Sequence, residues 1–397
     1  MVKREQLFSA AERLHAHLLK AHFRRGLLAG PDSGVRFNLR AWRFLKSALA
    51  FIPWRDNYVF MQTQGYWVLT NWMLFELTGS QRYREIALES TAATLTLQRP
   101  DGAWAYPLPE RKHLVATVEG DWGAIALLAS VDREPRNEFL QGATRWYEYI
   151  IRNIGFQEHI RGEAINYYDR PRGKVPNNSV EAAWLFARLW KATGDVKFLA
   201  HLDSLLDFVA GVQLDSGELP YIVEGPYEQA RDHYLCFQYN AFQFLKLIWL
   251  NALRPGTQAQ TIIPKLALFL SRGVLPSGAS AADCSTVGRE GAEVDYYTAV
   301  LAAALHEAAN CDVQNGAELS ERCYSRCVAH QRSDGSFGFS TGDYGFLSDT
   351  RSYPRPQAMT LFHLLYPICG DGFSKTVQSL FLIVDRRKME EEIGSSP

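Results

Sequence analysis

One short string recurs along the chain at a nearly constant interval. It reads Gln-Arg-Pro-Asp-Gly-Ala-Trp at 98–104, Gln-Leu-Asp-Ser-Gly-Glu-Leu at 213–219 and Gln-Arg-Ser-Asp-Gly-Ser-Phe at 331–337. Each copy has a Gln, three residues, a Gly, one residue and an apolar side chain, and each follows an apolar helical stretch. Weaker copies at 161–168 and 276–283 also set a Gly after such a stretch. The turn glycines are therefore Gly102, Gly162, Gly217, Gly278 and Gly335, separated by 60, 55, 61 and 57 residues. A period this regular marks a repeat architecture, in which no unit buries its apolar face alone. The glycine is expected to end the helix before it, because it accepts the left-handed conformation of a C-cap.

A second helix is expected after each turn, once an irregular loop of about ten to twenty residues has passed. These second helices start near Trp122, Val180, Asn240, Thr298 and Ala358, with an earlier one near Trp67. Thr-Gly-Ser and Thr-Gly-Asp at 78–80 and 193–195 mark short helix-to-helix turns that force antiparallel neighbours. A first helix over Glu5 to Leu28 supplies the outer partner that closes the ring. Long runs of alternating apolar and polar residues are missing, so no substantial sheet is expected. The fold class is all-α, an (α/α)6 barrel. It forms a single domain over 1–385, followed by a charged tail at 386–397.

Composition narrows the function. With 47% apolar residues the chain can bury a large core. The 42 basic and 43 acidic side chains nearly cancel, which argues against a nucleic-acid partner. The N-terminus has no continuous apolar segment of a secretory signal, and no run of eighteen apolar residues predicts a membrane span. The six cysteines lack a disulfide-scaffold spacing. A cytoplasmic protein with reduced thiols is expected. Cys323, Cys327 and His330 share one helix face, but they span about 10 Å, too far for one ion. No metal site is assigned, and no nucleotide-binding string calls for an organic cofactor.

The Gln-x3-Gly-x-Trp string resembles the turns of six-hairpin glycosidases, uronyl hydrolases and polysaccharide lyases. It also resembles the QW repeats of squalene-hopene cyclases and prenyltransferase toroids. Both resemblances imply an α/α toroid, over roughly residues 60–370. The terpene side lacks its chemistry here: neither Asp-x-Asp-Asp nor Asp-Asp-x-x-Asp occurs. Val-Pro-Asn-Asn-Ser-Val-Glu at 175–181 resembles the terpene metal motif only loosely, with the wrong spacing.

In such a barrel the long loops gather at one mouth, and here they carry acids, tyrosines and arginines. That mixture suits a sugar better than a hydrocarbon. The expected function is a glycan-active hydrolase, lyase or epimerase on a sugar, possibly one containing a uronic acid. A terpene cyclase or prenyltransferase-like toroid and a non-catalytic glycan-binding toroid are the alternatives. The expected partner is a small-molecule or oligosaccharide substrate. Candidate catalytic residues are Asp121, Glu228, His233, Tyr234, Asp283 and Asp295. Trp67, Trp104, Tyr168, Arg231, Glu290 and Arg351 are candidate substrate-binding residues. A glycosidase needs two carboxyl groups across the scissile bond, so a convergent pair is expected among the acids. Lyase or epimerase chemistry needs a base and a cation, which Arg231, His233 and Tyr234 could supply. Asp121 and Asp295, each beside an aromatic residue at a helix start, equally suit helix N-caps.

Overall fold

The computed structural model describes residues 3–36, 45–46, 49, 51–171, 173–223, 234–284, 292–311, 313–343 and 347–369. Among the described residues, twelve helices of ten residues or more alternate between two roles. The inner set is α2 (Met61–Thr78), α4 (Thr117–Val131), α6 (Pro176–Thr193), α8 (Cys236–Leu253), α10 (Asp295–Ala308) and α12 (Pro354–Leu365). The outer set is α1 (Arg4–Ala21), α3 (Gln81–Thr96), α5 (Asn137–Tyr149), α7 (Leu202–Val212), α9 (Ala259–Ser271) and α11 (Gly316–His330). Each inner helix packs on the next, and α12 packs back on α2. The ring is closed: this is an (α/α)6 barrel.

Sequence assigns the two roles. An inner helix is surrounded by protein, so it is buried on every side; α12 is buried from Ala358 to Leu365 without a break. An outer helix buries one stripe: α5 buries Phe139, Gly142, Ala143 and Trp146, at helical spacing. Inner helices run into outer ones through short turns, and Gly79 and Gly194 are left-handed C-caps at φ 69° and 74°. Sheet is limited, among the described residues, to three two-stranded antiparallel hairpins: Phe23–Arg24 with Leu27–Leu28, Phe156–His159 with Gly162–Ile165, and Ser340–Asp343 with Leu347–Asp349.

The repeat string works differently from the expected C-cap. Outer helix α3 already ends at Thr96, and Gly102 instead closes a four-residue turn, its N–H bonded to Arg99 O at 2.9 Å. Gly217, Gly278 and Gly335 do the same. Each turn then presses on the next outer helix: a Cβ at Gly102, Gly217 or Gly335 would lie 2.5, 2.1 or 2.4 Å from a carbonyl oxygen of Arg145, Lys265 or Arg13. The motif Gln spans the same joint. Gln98 Nε2 donates to Gly102 O and Gly142 O, Gln213 Nε2 to Gly217 O and Ile262 O, and Gln331 Nε2 to Gly335 O and Ala10 O. The last of these stitches the final hairpin to the first helix.

The structure adds a sixth turn glycine, Gly26 at φ 79°, inside the segment expected to be helical to Leu28. Helix α1 ends at Ala21, and the 23–28 hairpin follows because a left-handed Gly26 lets the chain fold back. Two residues beyond it, the backbone of Leu28 exchanges both hydrogen bonds with the Gln64 side chain. Leu219 with Asn240 and Phe337 with Gln357 repeat this pin. Inner helices α2, α8 and α12 are thereby registered against the turns that lead to them.

Candidate active site

The long outer-to-inner connections put all six inner-helix N-termini at one end of the ring, around a cavity of about 140 Å³. Every inner helix contributes. Gln62 comes from α2, Val118 from α4, Asn177 and Asn178 from α6, Gln238 and Tyr239 from α8, Tyr296 from α10, and Arg355 with Pro356 from α12. Tyr167 and Tyr221 complete the wall from the loops. The floor is made one and two turns deeper by Glu181, Phe242, Lys246 and Met359. Six helix N-termini facing one space give it a positive bias, which favours sugar oxygens and developing negative charge.

Glu181 and Lys246 form an ion pair of 3.0 Å, with side chains 0% and 3% exposed. Burial pushes the Glu181 carboxyl up, and Lys246 opposes that rise. The ammonium also lies 5.6 Å from the centroid of the Trp122 ring. Asp121 lies close enough to feel both charges. Burial, reinforced by Glu181, pushes its carboxyl well up, against a hydrogen bond from Trp146 Nε1 to Oδ1 of 2.8 Å. Its Oδ2 is buried without a hydrogen-bond partner. A proton on that oxygen removes the cost of a buried anion that is hydrogen-bonded at one oxygen only.

A second ionic group guards the rim. Arg355 donates from Nε and Nη2 to the two carboxylate oxygens of buried Asp32, at 2.8 and 2.7 Å. Its guanidinium sits over the Phe60 ring at 4.4 Å. Glu119 accepts the Met61 N–H at 2.6 Å and so caps α2; burial lifts its carboxyl to about 7, against the pull of Arg355. Around these charges runs a belt of phenols. Tyr221 contacts Tyr234 and Tyr239 at 5.0 and 4.9 Å between ring centroids, and Gln238 Nε2 donates to the Tyr296 hydroxyl at 3.2 Å. Flat aromatic faces beside amide donors and acceptors are what a sugar ring needs.

The residues singled out from sequence go to several places. Glu228, Arg231, His233 and Glu290 lie outside the described residues. Asp121 sits in the second turn of α4, so it is not an N-cap, and it lies beneath the cavity without bordering it. Asp295 is the first residue of α10 and also not its N-cap. It meets His330 Nδ1 at 2.9 Å and borders a separate outer groove with Arg332 and Ser340. Asp283 directly precedes Cys284 and helps to push its thiol up. Asp121 and Asp295 have different neighbours, and Glu228 and Glu290, the other loop acids considered for a pair, lie outside the described residues. Tyr234 reaches the belt through Tyr221.

The aromatic candidates are mostly wedges. Trp67 is fully buried and stacks on His15 of α1 at 4.6 Å, on the side of α2 away from the cavity. Trp104 bonds Thr94 O at 3.0 Å and packs against Gly123. Tyr168 is buried against Tyr106 and Leu114, while its neighbour Tyr167 faces the cavity. Arg351 holds the segment before α2, donating to the carbonyls of Leu49 and Ile52.

Sequence reasoning passed over Glu181, Lys246, Gln62, Gln238, Tyr239 and Arg355. The signal was present: a Lys and several amides interrupt the otherwise apolar α8, and Asn177, Asn178 and Glu181 lie in the string that only loosely resembled a terpene metal motif.

No protein-family model and no curated protein matches the sequence. Solved structures do match its fold. A cellobiose 2-epimerase from Bacillus thermoamylovorans superposes with a TM-score of 0.69 at 12% identity, covering 91% of this chain and 99% of the other. A possible member of the GH105 family from Salmonella enterica gives 0.67 at 13%, covering 93% and 95%. The GH76A α-1,6-mannanase of Salegentibacter gives 0.65 at 12%, covering 92% and 100%. The chain has the six-hairpin glycosidase-like α/α-toroid fold. The isoprenoid alternative finds no support. The cavity carries amides in its wall and an ion pair on its floor where a hydrocarbon would want apolar surface. Among the described residues no helix is long and apolar enough to cross a membrane.

Proposed function

We propose that this protein is a carbohydrate-active enzyme that seats one sugar unit at the barrel mouth and moves a proton next to a carbonyl or carboxylate carbon. The observation that carries this reading is the Glu181–Lys246 pair on the floor of a cavity walled by amides and phenols. Among the described residues Glu181 is the one carboxylate bordering that cavity. Paired-carboxylate hydrolysis wants two; proton transfer wants one base and a nearby cation.

In the proposed step Glu181 takes the proton from carbon, the C–H electron pair moves onto the adjacent carbonyl, and Lys246 stabilises the resulting oxyanion. Return of a proton from the opposite face gives the epimer; loss of a β-substituent gives the unsaturated product. The second proton-transfer group is proposed to come from Glu228 or His233, and Arg231 and Glu290 are proposed to hold the substrate. Asp121 is proposed to support Glu181 from beneath.

The test is a panel of neutral and uronate oligosaccharides in D2O. Solvent deuterium should appear at one carbon of the turned-over sugar, and Glu181→Gln should lower that exchange by about 100-fold or more. Turnover by hydrolysis without carbon-bound deuterium would shift the reading to a glycosidase. A panel that yields neither binding nor turnover defeats the enzyme reading.

A further inference from the structure

We propose that Glu218, Cys236 and Cys284 form a binding site for a thiophilic divalent cation, zinc above all, at the rim of the barrel mouth. The three residues are far apart in sequence and meet only in the fold. Cys236 Sγ and Cys284 Sγ are 3.2 Å apart, and Cys284 Sγ lies 3.8 Å from Glu218 Oε2. One ligand atom from each residue fits within 4.8 Å of the others. A tetrahedral ion with bonds of about 2.3 Å to sulfur and about 2.1 Å to oxygen spaces its ligand atoms by roughly 3.5–3.8 Å. Cys284 and Glu218 already have that spacing, and the two sulfur atoms would move apart by about half an ångström to reach it.

The ligands stand on pinned segments. Glu218 follows turn glycine Gly217 and precedes Leu219, whose backbone is bonded both ways to Asn240. Cys284 follows the Gly278 turn, where Ser280 N–H is held by Thr298 Oγ1 at 3.0 Å. Cys236 opens α8 directly after Leu235, a non-glycine residue at φ 45°. A left-handed leucine costs energy, and here it sets the direction in which Cys236 enters the helix.

Buried free cysteines are common and need no ligand. This pair differs because a carboxylate with 0% exposure lies against it. Two sulfur atoms and a buried carboxylate therefore share one small space. A dication would hold all three together, taking the sulfurs as thiolates. Three protein ligands leave a fourth position open, as in catalytic zinc sites. Cys236 is one helical turn from Tyr239 on the cavity wall, so the ion would sit beside the sugar site while being independent of the proton-transfer reading.

The full chain, purified with reductant, would be stripped and loaded with Zn²⁺ or Co²⁺ alone, and bound metal counted by mass spectrometry. One ion per chain is expected, with thiolate-to-cobalt charge-transfer absorption. Cys284→Ser and Glu218→Gln should each weaken binding by more than about 10-fold, and Cys311→Ser should leave it unchanged. Circular dichroism checks that the variants are folded, and half-buried Cys284 is the substitution least disturbing to the core. Absence of bound metal in the wild type, equal binding by the variants, or a Cys236–Cys284 disulfide that blocks loading would each overturn the site.

Discussion

Glu181 and Lys246 illustrate what burial does to single residues. A buried pair is held by its geometry, and removing one partner typically costs about 3–5 kcal/mol because the other charge is stranded. Glu119 shows the same physics on a second buried acid. Its carboxyl is lifted from an ordinary 4.5 to about 7, chiefly by burial. The folded state therefore holds this proton more tightly than the unfolded state does. Its contribution to stability is complete below pH 4.5 and is lost as the pH rises through 7, by roughly 3 kcal/mol in all. Glu119→Gln keeps an acceptor for the Met61 N–H and removes the titration. Melting temperatures measured from pH 4.5 to 7.5 should fall less steeply with pH in this variant than in the wild type; parallel curves would show that Glu119 does not titrate in this range.

At the scale of elements, the first turns of the inner helices do two jobs. They begin the helix and they build the cavity. The starts expected from apolar periodicity, at Trp67, Trp122, Val180, Asn240, Thr298 and Ala358, fall three to six residues inside the observed starts. The skipped residues include Gln62, Glu119, Asn177, Gln238, Tyr296 and Arg355. Their polarity interrupts the apolar pattern, and their position at the mouth is the reason for it. The turn glycines also divide by context. Gly79 and Gly217 are both left-handed, but a Cβ at Gly79 meets nothing within 4 Å, whereas one at Gly217 lies 2.1 Å from Lys265 O. Gly79→Ala should cost about 1–2 kcal/mol, the left-handed penalty alone. Gly217→Ala should cost at least about 2 kcal/mol more, since the next outer helix must move. Urea denaturation of the two variants compares them directly, and equal losses would mean that the turns do not bear on the outer helices.

For the whole molecule the important property is closure. Helix α1 buries Leu7, Ala10, Leu14 and Leu18 between the last and first hairpins, and His15 bonds Asn71 Oδ1 of α2 at 2.9 Å. Gln331 and Gly335 meet the same helix from the other side. A ring without ends should unfold as one unit, unlike an open repeat array that can fray from its termini. Deleting residues 4–21 should therefore abolish the single cooperative transition seen by circular dichroism and tryptophan fluorescence. A truncated chain melting cooperatively within a few degrees of the parent would show that the ring does not depend on its closing helix.

The number of hairpins, their sixty-residue spacing and the all-helical class were determined by the sequence alone. These are local matters: a glycine that turns the chain and an apolar period that a single segment displays. The Gln of the motif was also visible, although its role as a rivet to the next outer helix was not. The identity of the site was a tertiary decision. Glu181 and Lys246 are 65 positions apart, and Glu218, Cys236 and Cys284 come from three segments; no spacing rule links them. Conversely, Trp67 and Trp104 carry the chemistry of a sugar platform, yet packing spends them as wedges between helices. A side chain's type is set by its codon, but what it faces is set by the rotation of its helix within the ring, and only the closed barrel fixes that rotation.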